Sequence, residues 1–114
     1  LRMDKGLIGG STVLMLLSLL QEKEYYGYEI IKEIEQRSNC IFQFKEGTLY
    51  PVLHRMESQG LVKSYKATAE TGKERKYYQI TVKGKTQLAK EKEQWNAFTI
   101  SVKKVLGGAG YACP

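Results

Sequence analysis

The sequence predicts a mainly helical α+β fold in which three helices, one β-hairpin and one long helix follow each other along the chain. Apolar residues recur at helical spacing over most of its length, whereas β-rich residues with partial alternation occupy only residues 61–68 and 75–81. A polar stretch that contains Gly72 separates these two runs. With 114 residues, 42% of them hydrophobic and 26% charged, the chain has the composition of one globular domain.

The first helix is predicted to begin at Gly10-Ser11-Thr12 and to continue through Leu20. Its apolar residues cover nearly the whole circumference, which is typical of a helix that is buried on more than one side. A domain of this size buries only about 60 to 70% of its surface on folding, so a partner subunit is the simplest cover for the second side. We therefore expect Val13 and Leu16 to lie in a dimer interface.

This apolar helix is not expected to be a secretory signal or a membrane span. Arg2 and Lys5 precede it, as in a signal peptide, but no small-residue cleavage pattern follows it. Its longest uninterrupted apolar run, Val13–Leu17, is far shorter than the about 18 residues that a membrane span needs. Two cysteines, Cys40 and Cys113, are too few for a disulfide scaffold and indicate a reducing compartment. We expect a cytoplasmic protein without a membrane partner.

The second helix is predicted from Gly27 to about Arg37. Ile30, Ile31 and Ile34 form an apolar stripe on one side of it, and charged residues occupy the other side. This pattern is typical of a helix that packs one face on the core.

The third helix is predicted between Thr48 and Gly60. Thr48 is expected to cap its start, and Pro51 then falls in the first turn, where its missing N–H costs little. Gly60 is expected to supply the left-handed position after the last turn. The residues expected on the buried face are Leu49, Val52, Leu53 and Met56. The residues expected on the exposed face are Tyr50, His54, Arg55 and Ser58.

The positive charge of the chain is concentrated in the hairpin region. The formal net charge is +6, and residues 61–86 contribute +5 of it, from seven Lys or Arg against Glu70 and Glu74. Such a concentration is typical of a surface that meets a polyanion. On charge alone, a solvated basic face explains the pattern equally well.

The last helix is predicted from about Val82 to Leu106, roughly 35 Å long. Apolar residues repeat along it at the spacing of a coiled-coil seam, and no other part of the chain is long enough to cover that seam. The same helix of a second subunit would cover it, so a homodimer is expected. The seam residues are Leu88, Trp95, Phe98, Val102 and Val105.

The order of these elements is that of a winged helix-turn-helix with an added C-terminal helix. In such folds the third helix enters the DNA major groove and the hairpin, called the wing, tracks phosphates or the minor groove. We therefore divide the chain into a DNA-binding domain (residues 1–81), a dimerisation helix (residues 82–106) and a flexible tail (residues 107–114). Double-stranded DNA is the expected partner.

Three segments also resemble the PadR-type transcriptional repressors. They are GYEIIKEIEQ at residues 27–36, GTLYPVLHRMESQGLV at residues 47–62 and ERKYYQITVKGKTQL at residues 74–88. The resemblance implies a cytoplasmic repressor that dimerises through its first and last helices, of the subfamily with one C-terminal helix. One departure is Lys66, where short members of the family often carry Trp.

The residues expected to contact DNA lie on the third helix and the wing. For the helix residues the alternatives are a capping role and simple solvation. His54 is the only histidine and has no ligand-spaced neighbour, so no metal site and no cofactor are expected. The expected DNA contacts are Lys45, Thr48, Tyr50, His54, Arg55, Lys66, Lys73, Arg75 and Lys76.

Trp95 has a second possible role beside the dimer seam. The resemblance implies that an aromatic residue at this position can line a cavity on the dimer axis for a flat hydrophobic or aromatic effector. The other walls expected for such a cavity are Ile8, Thr12, Met15, Phe98 and Thr99.

No catalytic arrangement is recognisable, because a single exposed histidine completes no nucleophile–base pair and no phosphate-binding glycine loop is present. The expected function is therefore a ligand-responsive dimeric repressor of a near-palindromic operator. The alternative is a winged-helix module that binds a protein or RNA without operator specificity.

Overall fold

The computed structural model of the chain describes residues 3–107. These residues form the helices α1 (Lys5–Gly9), α2 (Thr12–Glu22), α3 (Gly27–Arg37), α4 (Glu46–Ser58) and α5 (Val82–Val105). They also form the strands β1 (Tyr25–Tyr26), β2 (Val62–Thr68) and β3 (Glu74–Ile80). The predicted α+β class is confirmed. Of the tail expected at residues 107–114, all but Gly107 lies outside the described residues.

The core is formed where α2, α3 and α4 meet the inner face of the sheet and the first part of α5. The isoleucine stripe of α3 is buried, and so is the predicted inner face of α4 except for Val52, which is half-buried. The predicted bounds of the second helix agree with those of α3. The agreement arises because this helix has a capped start and a regular stripe of apolar residues along one face.

The start of the predicted third helix, α4, differs from the prediction. The helix begins at Glu46 after Lys45, so Thr48 lies inside the first turn and does not cap it. Pro51 consequently lies in the second turn, where its missing N–H leaves the carbonyl of Gly47 without the usual helical donor. The prediction was wrong here because it assigned the start to the first good capping residue.

The end of α4 agrees with the prediction. Gly60 has φ +77°, and its N–H donates to the Glu57 carbonyl at 2.9 Å. The N–H of Leu61 donates to the Met56 carbonyl, also at 2.9 Å. This pair of bonds is the Schellman arrangement, and it turns the chain directly from the helix into β2.

The sheet has three antiparallel strands in the order β1-β3-β2. The predicted hairpin is confirmed, and its turn places Gly72 at φ +82°. Strand β1 was not predicted, because two residues carry no detectable alternation. Through β1, the residues Tyr26, Tyr77 and Tyr65 stand in register across all three strands.

Helix α5 begins against the end of α4. The Thr81 side chain accepts a bond from the Gly84 N–H and donates to the carbonyls of Gly60 and Leu61. A methyl group on Gly84 would lie 2.1 Å from the Leu61 carbonyl oxygen, so only glycine fits this approach. Within residues 3–107, no helix has both the length and the apolar character required to cross a membrane.

Two residues assigned to the dimer interface lie instead in the core of a single chain. Leu16 is 0% and Leu88 is 1% exposed, because α2 packs on α5 and covers the start of the seam. The expectation that nothing within the chain covers Leu88 was therefore wrong. Farther along α5, Trp95, Phe98 and Val105 are 45%, 58% and 85% exposed.

Candidate nucleic-acid interface

A groove of about 570 Å³ lies between the start of α3, the exposed face of α4 and the wing, residues 62–80. It brings together five of the residues predicted to contact DNA, namely Tyr50, His54, Lys73, Arg75 and Lys76. Its other lining residues are Tyr26, Gly27, Tyr28, Glu46, Glu74 and Tyr78.

The remaining predicted contacts are exposed but do not line this groove. Lys45 and Thr48 lie at the start of α4, and Arg55 follows the groove residue His54. Lys66 lies on β2, and its ammonium nitrogen is 3.7 Å from a carboxylate oxygen of Glu74. Both side chains of this pair are well exposed, so the pair contributes little to stability.

The ring of Tyr50 packs on the first turn of α3. An added methyl group at Gly27 would lie 2.7 Å from Cε1 of Tyr50 and 2.9 Å from its hydroxyl oxygen. Burial, followed by the charge of Glu46, raises the pKa of the Tyr50 hydroxyl. Tyr50 therefore remains neutral and half-buried, and its position depends on the missing side chain at residue 27.

Arg75 is held on a row of tyrosine rings that crosses the outer face of the sheet. Its guanidinium carbon lies 4.2 Å from the ring centroid of Tyr26. The Tyr26 ring meets that of Tyr77 edge-on at 5.5 Å, and Tyr77 stacks on Tyr65 at 5.6 Å. Each contact of this kind contributes about 0.5 to 1.5 kcal/mol. The row therefore restricts where the Arg75 side chain can lie in the groove.

Glu24 anchors the far end of the same face. Its carboxylate accepts bonds from the Tyr65 hydroxyl and from the side-chain amide of Gln79. These two bonds, the one from Tyr65 foremost, hold the pKa of Glu24 below its usual range. The carboxylate thereby ties the chain before β1 to both strands of the hairpin.

Glu57 joins α4 to the wing. Its carboxylate accepts the Ser64 N–H at 3.1 Å and the Ser64 hydroxyl at 2.6 Å. The ammonium of Lys76 lies 3.9 Å from its other oxygen. Because these contacts link α4 to both β2 and β3, they set the orientation of the wing relative to the helix.

The charges that line the groove nearly balance. Lys73, Arg75 and Lys76 share the lining with Glu46 and Glu74, so the formal charge of the lining is +1 with a neutral histidine. Further positive charge comes from three exposed residues outside the lining: Lys45 and Arg55, which are next in sequence to Glu46 and His54, and Lys66, which pairs with Glu74. The groove thus combines cations that suit phosphates with carboxylates and hydroxyls that suit base edges.

The residues expected to line an effector cavity are spread over two places in the single chain. Thr12 is buried, and its hydroxyl donates to the Ile8 carbonyl at 2.8 Å. Met15 lines a separate apolar groove of about 310 Å³ between α2 and α3. The exposed rings of Trp95 and Phe98 lie 6.4 Å apart on α5, beside the half-buried Thr99.

Several groove residues were not identified from the sequence. Glu46 was missed, although Glu46, Tyr50 and His54 recur at the i, i+4 spacing of one helix face. Tyr26 and Tyr28 were missed because their place in the groove depends on how α3 meets the wing. Within residues 3–107, no three His, Cys, Asp or Glu side chains gather into a potential metal site.

Comparison with known proteins identifies the family. The model of the transcriptional regulator PadR-like family matches residues 16–90. The chain belongs to this family. As a PadR-like regulator it acts in transcription by binding DNA, and the resemblance stated from its sequence motifs is confirmed.

Solved structures of other regulators agree with this assignment. A transcriptional regulator from Clostridium thermocellum is 37% identical, with a TM-score of 0.81 over 88% of this chain and 97% of that one. A PadR-like regulator from Bacillus cereus is 30% identical, with a TM-score of 0.80 over 92% of this chain and 100% of that one. A transcriptional regulator of Mycobacterium tuberculosis is 29% identical over 86% of this chain and 85% of its own length. The predicted winged helix-turn-helix with a long C-terminal helix is therefore confirmed.

Proposed function

We propose that this PadR-like regulator is a homodimeric cytoplasmic repressor that binds a near-palindromic operator and releases it when a small aromatic or hydrophobic effector binds. The observation that carries the proposal is the groove itself, which joins the exposed face of α4 to the basic wing. A location in the cytoplasm follows from the DNA partner.

In this proposal α4 enters the major groove and the wing follows the phosphates. Residues near the start of a recognition helix reach base edges in such folds, which assigns base or phosphate contacts to Thr48 and Tyr50. His54 lies farther along α4 but lines the same groove, and it is assigned a contact for that reason. Lys73 and Arg75 then neutralise phosphates, and their contacts weaken with salt and carry no sequence information.

The exposed seam of α5 supports the dimer. The apolar residues Trp95, Phe98, Val102 and Val105 recur at coiled-coil spacing, and each residue is at least 38% exposed in the single chain. Val13 on α2 is half-buried and retains apolar surface that a second subunit would cover. A two-fold axis presents two α4 helices to half-sites about one helical turn, or a small multiple of it, apart.

Sedimentation tests the dimer. The expected mass is about twice 13.0 kDa, and Trp95→Asp is expected to shift the protein towards monomer because it places a charge in an apolar seam. Lys90→Asp, at an exposed position of the same helix outside the seam, is the matched control. A wild-type monomer at micromolar concentration contradicts the proposal.

The DNA arm of the proposal is tested with duplexes selected from a randomised pool. Fluorescence anisotropy then compares a selected duplex with a scrambled one over a range of salt concentrations. Lys73→Ala is expected to reduce the salt slope by about one unit on both duplexes, and Lys90→Ala to leave it unchanged. Equal affinity for both duplexes at physiological salt contradicts an operator and favours a protein- or RNA-binding module.

The effector arm is tested through the only tryptophan of the chain, Trp95. Planar aromatic compounds are expected to quench its fluorescence saturably if the two indoles flank a cavity on the dimer axis. Linkage requires that operator DNA weakens ligand binding by the same factor by which the ligand weakens DNA binding. A broad panel of planar compounds that leaves the emission unchanged contradicts the cavity. Quenching by a ligand that leaves operator affinity unchanged contradicts the proposal that effector binding releases the operator.

A further inference from the structure

We propose that Glu46 determines part of the operator sequence by accepting a hydrogen bond from the exocyclic amino group of a cytosine. This inference rests on the proposed function. Glu46 is the first residue of α4, it is exposed, and it lines the groove on the same helix face as Tyr50 and His54.

The surroundings of Glu46 distinguish it from the other carboxylates near the groove. Glu57 is bound by Ser64 and lies beside Lys76, and Glu74 lies beside Lys66. Among residues 3–107, no Lys, Arg or His nitrogen lies within 4.0 Å of the Glu46 carboxylate. Within the described residues, its charge is therefore not neutralised by an ion pair, although it lines the same groove as the basic residues of the wing.

An unpaired carboxylate on a surface that approaches DNA repels phosphates, so it is tolerated best where it accepts a hydrogen bond. In the major groove the available donors are the amino groups of cytosine and adenine. Adenine presents the N7 acceptor beside its amino group, which repels a carboxylate, whereas cytosine presents only the donor. A glutamate in the first turn of a helix also stabilises that helix by interacting with its dipole. This alternative role of Glu46 requires no DNA and predicts no preference for a base.

The experiment is a selection of bound duplexes from a randomised pool, read by sequencing, for the wild type, Glu46→Ala, Glu46→Gln and Glu74→Gln. Glu74→Gln is the matched control because it removes the same charge from the same groove. Thermal unfolding checks that each variant is folded.

The wild type is expected to prefer cytosine by about tenfold at one position of each half-site. Glu46→Ala is expected to lose this preference while all others persist. Glu46→Gln is expected to shift it towards adenine, because a carboxamide pairs with the adenine N6 and N7 groups. Glu74→Gln is expected to bind all duplexes more tightly and keep the cytosine preference.

Unchanged base preferences in both Glu46 variants overturn the inference and leave the proposed function standing. A wild type that selects no sequence at all overturns both, which distinguishes the two failures.

Discussion

The packing of Tyr50 on Gly27 yields a prediction that links a backbone detail to DNA binding. In Gly27→Ala the new methyl group would lie 2.7 Å from Cε1 of Tyr50, whereas carbon atoms in good contact are about 3.5 to 4.0 Å apart. The ring therefore has to move by about 0.8 Å or more. Because the nearest atoms belong to the far end of a side chain, the ring can swing aside and the fold persists.

The cost to stability is expected to be small. Overpacking of this kind costs about 1 to 3 kcal/mol, and alanine returns up to about 1 kcal/mol through its better helix propensity. The net loss of unfolding free energy is thus about 0 to 3 kcal/mol. The loss in operator affinity is expected to approach that of Tyr50→Ala, about 1 to 3 kcal/mol, because the displaced ring no longer makes its contact.

A double-mutant cycle separates this mechanism from general damage. In the Tyr50→Ala background the clash is absent, so Gly27→Ala is expected to leave operator affinity unchanged and to raise stability slightly. Urea unfolding measures stability, and fluorescence anisotropy on a selected duplex measures affinity. Additive effects of the two substitutions on affinity refute the reasoning, as does a Gly27→Ala variant that binds like the wild type.

Three further predictions concern stability. Gly84→Ala is expected to destabilise the fold by about 3 kcal/mol or more, because its methyl group meets a backbone oxygen that cannot swing aside. Gly47→Ala is the control, since an added methyl group there meets nothing within 4 Å. In the same thermal melts Gly47→Ala is expected to be neutral or stabilising. The lowered pKa of Glu24 contributes stability above pH 4.5 that is lost as the pH falls through the pKa of the folded state. Glu24→Gln is therefore expected to make the unfolding free energy depend less on pH in this acidic range. An unchanged dependence of stability on acidic pH contradicts the role of this carboxylate. Glu57→Ala leaves the Ser64 N–H and hydroxyl without their acceptor, so it is expected to lower the free energy of unfolding by about 1 to 3 kcal/mol. Hydrogen exchange at the Ser64 amide is expected to become faster. An unchanged exchange rate contradicts the link between α4 and the wing.

Local patterns were sufficient to predict most elements of the fold. The bounds of α3 and the end of α4 follow from short-range rules, namely an isoleucine stripe and a glycine that adopts a positive φ. The hairpin follows from alternation on either side of Gly72. These features depend on neighbours within a few residues, which a sequence displays directly.

Features that depend on distant parts of the chain were missed or misassigned. Leu88 fits a dimer seam by spacing, but its burial is decided by how α2 lies on α5. Strand β1 exists only because β3 pairs with it. The groove likewise brings the start of α3 next to wing residues nearly fifty positions later in the chain. The basic wing residues and the exposed face of α4 could be predicted from the sequence. Tyr26 and Tyr28 could not, because their place in the groove depends on this distant contact.

The central claim is that DNA lies in the groove between α3, α4 and the wing. It is tested most directly by titrating a selected duplex into ¹⁵N-labelled protein and recording which backbone amides shift or broaden. The affected amides are expected to cluster at the groove residues, such as Gly27, Tyr50, His54 and Lys73, and the distal half of α5 is expected to be little affected. Perturbations confined to the distal half of α5, or to the apolar groove between α2 and α3, would contradict it.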